Sequence, residues 1–129
     1  NIKHRITVKK DFSTENLTVK GNVGKLHQVF LNILANAEQA IKKEGEISIL
    51  TQSSSEEVII SISDTGIGIS KENQSKINDP FFTTKDPGVG TGLGLSISYT
   101  IIKEHGGNIE LESEINRGTT FIIKLPKYT

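Results

Sequence analysis

The chain has 129 residues, enough for one domain with a sizeable core. Fifteen basic residues balance fifteen acidic ones, so no global field directs it to nucleic acid or to an anionic membrane. Cysteine is absent, which excludes disulfides, thiolate metal sites and cysteine nucleophiles, and no apolar run approaches the ~20 residues that span a bilayer.

In chain order, Ile6-Thr7-Val8 and Leu17-Thr18-Val19 alternate apolar and polar residues, and both are expected to be strands. Gly21-Asn22 breaks the chain, with Asn22 placed to cap a long helix over about Val23 to Lys43. Leu26, Val29, Phe30, Ile33, Leu34, Ala37, Ala40 and Ile41 form its core stripe, roughly 140° wide at about 100° per residue. Asn32 and Asn36, one turn apart, share one margin of that stripe, while Leu31 lies on nearly the opposite face. Gly45 occupies the position after the helix that favours glycine. Glu46–Thr51 and Glu57–Ser63 alternate with period two and form a hairpin. Asp64 ends the second of these strands, and Ser70 caps a short helix. From about Asn78 to Gly92 nothing is periodic, and an aperiodic stretch of that length inside a domain points to a functional loop such as a lid. Leu93 to His105 is helical again and closes on Gly106-Gly107. Asn108–Ser113 and Thr119–Leu125 then pair around Asn116-Arg117-Gly118. This order implies an α+β fold of two layers, helices on one side of a sheet. Methionine is absent, position 1 included, so residues 1–129 are expected to be one domain of a longer, cytosolic chain.

The chemistry concentrates between Asp64 and Leu95, which hold six of the twelve glycines: Gly66, Gly68, Gly88, Gly90, Gly92 and Gly94. The second group runs straight into a helix, and N–H groups at a helix start, aided by the dipole, suit an anion such as a phosphate. Asp64 at the end of an apolar strand is either a turn-former before Gly66 or a carboxylate that accepts from an exocyclic amine, as adenine offers. In the second case Gly66 and Gly68 let a base approach closely. Asparagines in mid-helix are poor helix formers. Asn32 and Asn36 either satisfy nearby backbone, or Asn36 offers a hard, neutral oxygen to Mg²⁺, which takes few protein ligands beside water and phosphate.

Four elements in this order are far more specific than any one of them. H-Q-V-F-L-N-I-L-A-N-A from His27, D-T-G-I-G-I from Asp64, D-P-F-F-T-T-K from Asp79 and G-T-G-L-G-L from Gly90 resemble the N, G1, F and G2 boxes of sensor histidine protein kinases. H-G-G from His105 and R-G-T-T-F from Arg117 resemble that family's closing elements. The resemblance is to the catalytic ATP-binding domain, in a superfamily shared with type II topoisomerases, heat-shock chaperones and mismatch-repair ATPases. It implies a two-layer α/β sandwich of the Bergerat type: a mixed sheet, three helices on one face and an ATP lid. It places the adenine-binding aspartate on Asp64, the magnesium ligand on Asn36 and the phosphate cradle on Gly90, Thr91, Gly92, Leu93 and Gly94, with Leu95 next to it as a further nucleotide contact. Gly66, Gly68, Ile69, Phe82, Thr83, Thr84, Lys85 and Thr119 complete the implied nucleotide contacts, with ATP and Mg²⁺ as cofactors.

Asn32 separates the branches of that superfamily. The topoisomerase and chaperone branches usually carry a glutamate there to activate water, whereas an amide cannot act as a general base near neutral pH. A kinase is therefore favoured over an ATPase. Many histidine kinases also carry a basic or tyrosine residue three or four positions after the second asparagine, where this chain has Gln39 and Ala40. The helical angle turns Lys42 away and leaves Lys43 marginal, so Lys85 is either the cation at the phosphates or a solvated lid residue, and the first is the expectation.

His4, His27 and His105 lack the acidic neighbour that follows the family's phospho-accepting histidine. The acceptor is therefore expected on a separate helical dimerisation domain, with a response regulator downstream and this domain binding ATP as a monomer without phosphorylating itself. One of Phe81 and Phe82 either docks on that acceptor domain or packs in the core. The alternatives are a related serine kinase or anti-sigma factor, and a non-catalytic module that senses nucleotide.

Overall fold

The central constraint is a five-stranded mixed sheet in the order β1-β2-β3-β5-β4, seen in a computed structural model that describes residues 5–13, 17–74 and 93–128. The strands are β1 (Ile6–Asp11), β2 (Gly45–Ser53), β3 (Glu57–Asp64), β4 (Asn108–Glu114) and β5 (Gly118–Pro126). The helices are α1 (Val23–Ala40), α2 (Lys71–Gln74) and α3 (Leu93–Glu104). Only β1 and β2 pair in parallel, and a parallel neighbour requires a crossover, which α1 provides. The other pairs are antiparallel. β3 and β4 run in the same direction with β5 between them, and α3 packs against α1 and β4.

Period-two alternation gives the sheet one apolar face. Ile47, Val58, Ile62, Ile109, Phe121, Ile123 and Leu125 are all buried there, with Ile62 opposite Phe121 and Ile109 opposite Ile123. The other face carries polar pairs: Lys124 Nζ to Glu110 Oε2 at 2.9 Å, and the Ser63 and Thr120 hydroxyls at 2.9 Å. α1 and α3 lie side by side on the apolar face and add Val29, Ile33, Ala37, Ile101 and Ile102 to the core. Full burial of a side chain such as Ile33, Ile102 or Ile123 contributes about 1.5–3 kcal/mol. Leu31 is 55% exposed on the far side of α1, as its angular position requires.

Two sequence expectations are corrected. Residues 17–19 are not a strand: Thr18 O accepts from Tyr128 N–H (2.8 Å) and Val19 packs on the core, so the segment closes the end of the fold without entering the ladder. α1 starts where expected, with Asn22 Oδ1 accepting from Lys25 N–H at 2.9 Å, but it ends at Ala40 rather than near Lys43. Ile41 turns to extended backbone (φ −90°, ψ 111°) and buries its side chain, and Gly45 already belongs to β2, its N–H bonded to Arg5 O at 3.0 Å. Four residues between helix and strand leave no room for a further helical turn. Lys42 and Lys43 are thus off the helix, and the angular argument about them does not apply.

The end of α1 is stabilised from a distance. The Arg5 guanidinium donates to the carbonyls of Ile41 and Glu38 (3.2 Å for the latter), placing a cation on the negative end of the helix dipole. Ala40 O accepts from Ile67 N–H at 3.1 Å. We predict that Arg5→Ala lowers stability by about 1–2 kcal/mol in urea denaturation, because two charge-assisted bonds and a dipole contact are lost together.

Candidate functional site

The register places Ile47, Asp64, Thr119 and Ser113 in one row across β2, β3, β5 and β4, on the helix-covered face at one end of the sheet. Three of the four are polar where the alternation calls for apolar residues. Asp64 and Thr119 are only 8% and 5% exposed. Asp64 Oδ1 accepts from Gly66 N–H at 2.8 Å, and the backbone N–H of Thr119 also bonds the carboxylate. Burial nevertheless dominates and raises the Asp64 pKa above its ordinary 3.8, against the two backbone donors, which lower it.

The loop after Asp64 is held at three places. Ile67 N–H bonds Ala40 O of α1, Ile67 O accepts from Asn116 N–H (2.8 Å) in the β4–β5 turn, and Ile69 N–H bonds Ser113 Oγ (2.8 Å) on β4. The Gln74 amide of α2 reaches Ile69 O (2.7 Å) and Ser113 O (3.1 Å), and Ser70 Oγ caps α2 through Asn73 N–H (3.2 Å), as expected from the sequence. The two glycines answer to this packing as well as to any ligand. A Cβ on Gly66 would lie 2.6 Å from Ala40 O, and Gly68, at φ 75°, lies against Glu114 and Ile115. The loop can therefore pass between helix and hairpin only without side chains at these points.

On α1, the Asn36 amide nitrogen donates to Asn32 O at 3.1 Å, so its oxygen is the end turned from the helix backbone. Asn32 Nδ2 stands 3.5 Å from Ser98 Oγ of α3, and Ser98 is fully buried. Gln39, one turn beyond Asn36, has a buried Oε1 without a hydrogen-bond partner among the described residues. Among the described residues no three His, Cys, Asp or Glu side chains are grouped to hold a metal. The oxygens that α1 offers here are thus neutral amide oxygens, those of Asn36 and Gln39, one turn apart. That set suits Mg²⁺ carrying its own waters and phosphate oxygens rather than a protein-caged metal.

The structure brings together Asp64, Gly66, Gly68, Ile69 and Thr119. Asn36 stands one turn before Ala40, the residue that bonds their loop. Leu95 is part-buried against the core, and Leu93 and Gly94 open α3. Phe81, Phe82, Thr83, Thr84, Lys85, Gly90, Thr91 and Gly92 lie outside the described residues. Ser113, Ser98 and Gln74 escaped the sequence reading, which noted Gln39 only for its lack of charge. For Ser113 a signal existed: it continues Ile109 and Leu111 at the core-facing period. Gln74 carried none, because its bonds depend on where a distant hairpin lies.

A raised Asp64 pKa means the folded chain holds this proton to higher pH than the unfolded chain does. Stability is then fully present below about pH 3.8 and lost as pH rises through the raised value. We predict that the stability of wild type relative to Asp64→Asn falls over that window and levels off above it, measured by urea midpoints from about pH 3 to 7. A gap that instead widens in favour of wild type with rising pH contradicts the assignment.

The chain matches, over residues 21–129, the family model described as histidine kinase-, DNA gyrase B- and HSP90-like ATPase. It is 38% identical over 122 residues to sporulation kinase C of Bacillus subtilis, covering 94% of this chain and 28% of that protein. It is 41% identical over 108 residues to sensor histidine kinase ZraS of Escherichia coli, covering 84% of this chain and 23% of that one. Among solved structures, the catalytic domain of histidine kinase ThkA superposes with a TM-score of 0.85 at 39% identity, over 97% of this chain and 82% of that one. Full-length ShkA in complex with AMPPNP gives 0.83 at 26% identity, over 96% and 26% of the two chains. The chain thus spans about a quarter of the length of these curated relatives. With a mixed five-stranded sheet, two helices packed on one face and an aspartate buried at the end of β3, the chain belongs to the histidine kinase-, DNA gyrase B- and HSP90-like ATPase family, in its branch of ATP-binding catalytic domains of histidine kinases.

Proposed function

We propose that this chain, as one domain of a longer kinase, binds Mg-ATP and delivers its γ-phosphoryl group to a histidine on a separate helical dimerisation domain. The observation that carries the reading is the buried Asp64 carboxylate, held open as an acceptor by two backbone donors at the end of β3. An exocyclic amine such as that of adenine donates to it, whereas a six-oxo purine presents an acceptor there. ShkA, whose fold is similar, is solved in complex with AMPPNP, an adenine nucleotide analogue, which supports an adenine nucleotide as the ligand.

Asn36 would hold Mg²⁺ through its amide oxygen, and Gln39 Oε1 would accept from a water carried by the metal. When bound there, Mg²⁺ would supply charge neutralisation at the phosphate oxygens, which is most of what phosphoryl transfer asks of a site. Lys85 adds a second cation, Phe82, Thr83 and Thr84 contact the nucleotide, and the N–H groups from Gly90 through Gly94 hold the phosphates. Asn32 carries no carboxylate to activate water, so the phosphoryl group is preserved for an acceptor other than water. The downstream partner is a response regulator, the parent kinase is a homodimer, and this domain works on the cytosolic side.

Two outcomes are expected. In calorimetric titration, Mg²⁺ tightens ATP binding, and Asn36→Ala removes about tenfold of that gain, near 1.4 kcal/mol, while metal-free binding persists. Metal-independent binding in wild type would point instead to a nucleotide sensor. Incubated with labelled ATP, the chain alone stays unlabelled but labels an added histidine-bearing helical domain, and Lys85→Ala slows that transfer at saturating ATP. Label on a serine of a partner would favour the serine-kinase reading.

A further inference from the structure

The hydroxyl of Ser113 is saturated, and the way it is saturated decides what Thr119 shows a ligand. Ser113 Oγ lies 2.8 Å from Ile69 N, 2.9 Å from Gly118 O and 2.8 Å from Thr119 Oγ1. A serine hydroxyl has one hydrogen and two lone pairs. Ile69 N–H can only donate and Gly118 O can only accept. If Ser113 gave its hydrogen to Thr119, two acceptor oxygens would face each other at 2.9 Å with no proton between them. All three contacts carry a hydrogen in one arrangement alone: Ser113 donates to Gly118 O and accepts from Ile69 N–H and from the Thr119 hydroxyl.

Thr119 is therefore fixed as a donor to Ser113, and only its lone pairs remain for a ligand. Its cross-strand neighbour is Asp64, on the same face, and the Asp64 carboxylate is likewise an acceptor. We propose that Ser113 is a specificity-determining positioning residue: by locking the Thr119 proton, it makes the floor beside Asp64 an acceptor-only surface that selects a six-amino purine and rejects a six-oxo one. Ser113 is also a bond of the loop that leaves Asp64, through Ile69, so one hydroxyl sets both the loop position and the polarity of the floor. This inference rests on the adenine-site reading above and adds a residue to it.

The test is the ratio of dissociation constants for ATP and inosine triphosphate, measured by calorimetry on the whole 129-residue chain. Wild type prefers ATP. In Ser113→Ala the Thr119 hydroxyl rotates freely and can donate to a six-oxo group, so the preference falls by about fivefold or more. Ser113→Thr, which keeps the hydroxyl, retains the wild-type ratio. Added to Thr119→Val, Ser113→Ala leaves the ratio unchanged, because its effect runs through Thr119. If Ser113→Ala does not fold, as judged by thermal melting, Ser113→Cys carries the same expectation, its thiol being a weak acceptor. A ratio equal to wild type in a folded Ser113→Ala or Ser113→Cys overturns the proposal and reduces Ser113 to a loop tether, with the nucleotide reading intact. Absence of ATP binding in wild type, or ATP binding indifferent to Asp64→Asn, overturns that reading itself and this inference with it.

Discussion

One buried carboxylate sets the conditions for everything around it. Asp64 sits at the end of the central strand with 8% of its surface exposed, where an uncompensated charge would be costly. Two backbone N–H groups, from Gly66 and Thr119, reduce that cost without ending its role as an acceptor. The donors come from different parts of the chain, one from the loop that follows and one from the neighbouring strand. The loop and the β3–β5 register must therefore both be correct for this residue to be tolerated at all.

That requirement explains the density of bonds on the loop after Asp64. It is tied to the last turn of α1 through Ala40, to the β4–β5 turn through Asn116, and to β4 through Ser113. The same last turn of α1 is held by Arg5, whose backbone carbonyl also receives Gly45 N–H as β2 begins. A chain of contacts thus runs from the residue before β1, through the end of the helix bearing Asn32 and Asn36, to the loop beside Asp64. Elements that are distant in sequence become rigidly related where the site needs them to be.

A neutral helix face complements this arrangement. Asn32 and Asn36 are amides, and the hydrogen bond from Asn36 to Asn32 O orients one oxygen without adding charge. Gln39 Oε1, without a hydrogen-bond partner among the described residues, adds a second neutral oxygen on the same helix.

Local pattern alone determined most of the elements, because strands and helices here follow their apolar periods. The stripe on α1, the β2–β3 and β4–β5 hairpins and the caps at Asn22 and Ser70 all lie where short-range chemistry puts them. Asp64, Asn32 and Asn36 stood out for a related reason: each is a polar residue whose position violates, or borders on violating, the pattern around it. Tertiary structure decided what no window of sequence contains. It ended α1 at Ala40 because Ile41 had to reach the core, and it kept residues 17–19 out of the sheet. It turned Ser113 from a strand residue into the partner of Ile69, Gly118 and Thr119. Those outcomes depend on strand register and on close approach between distant segments, which periodicity cannot encode.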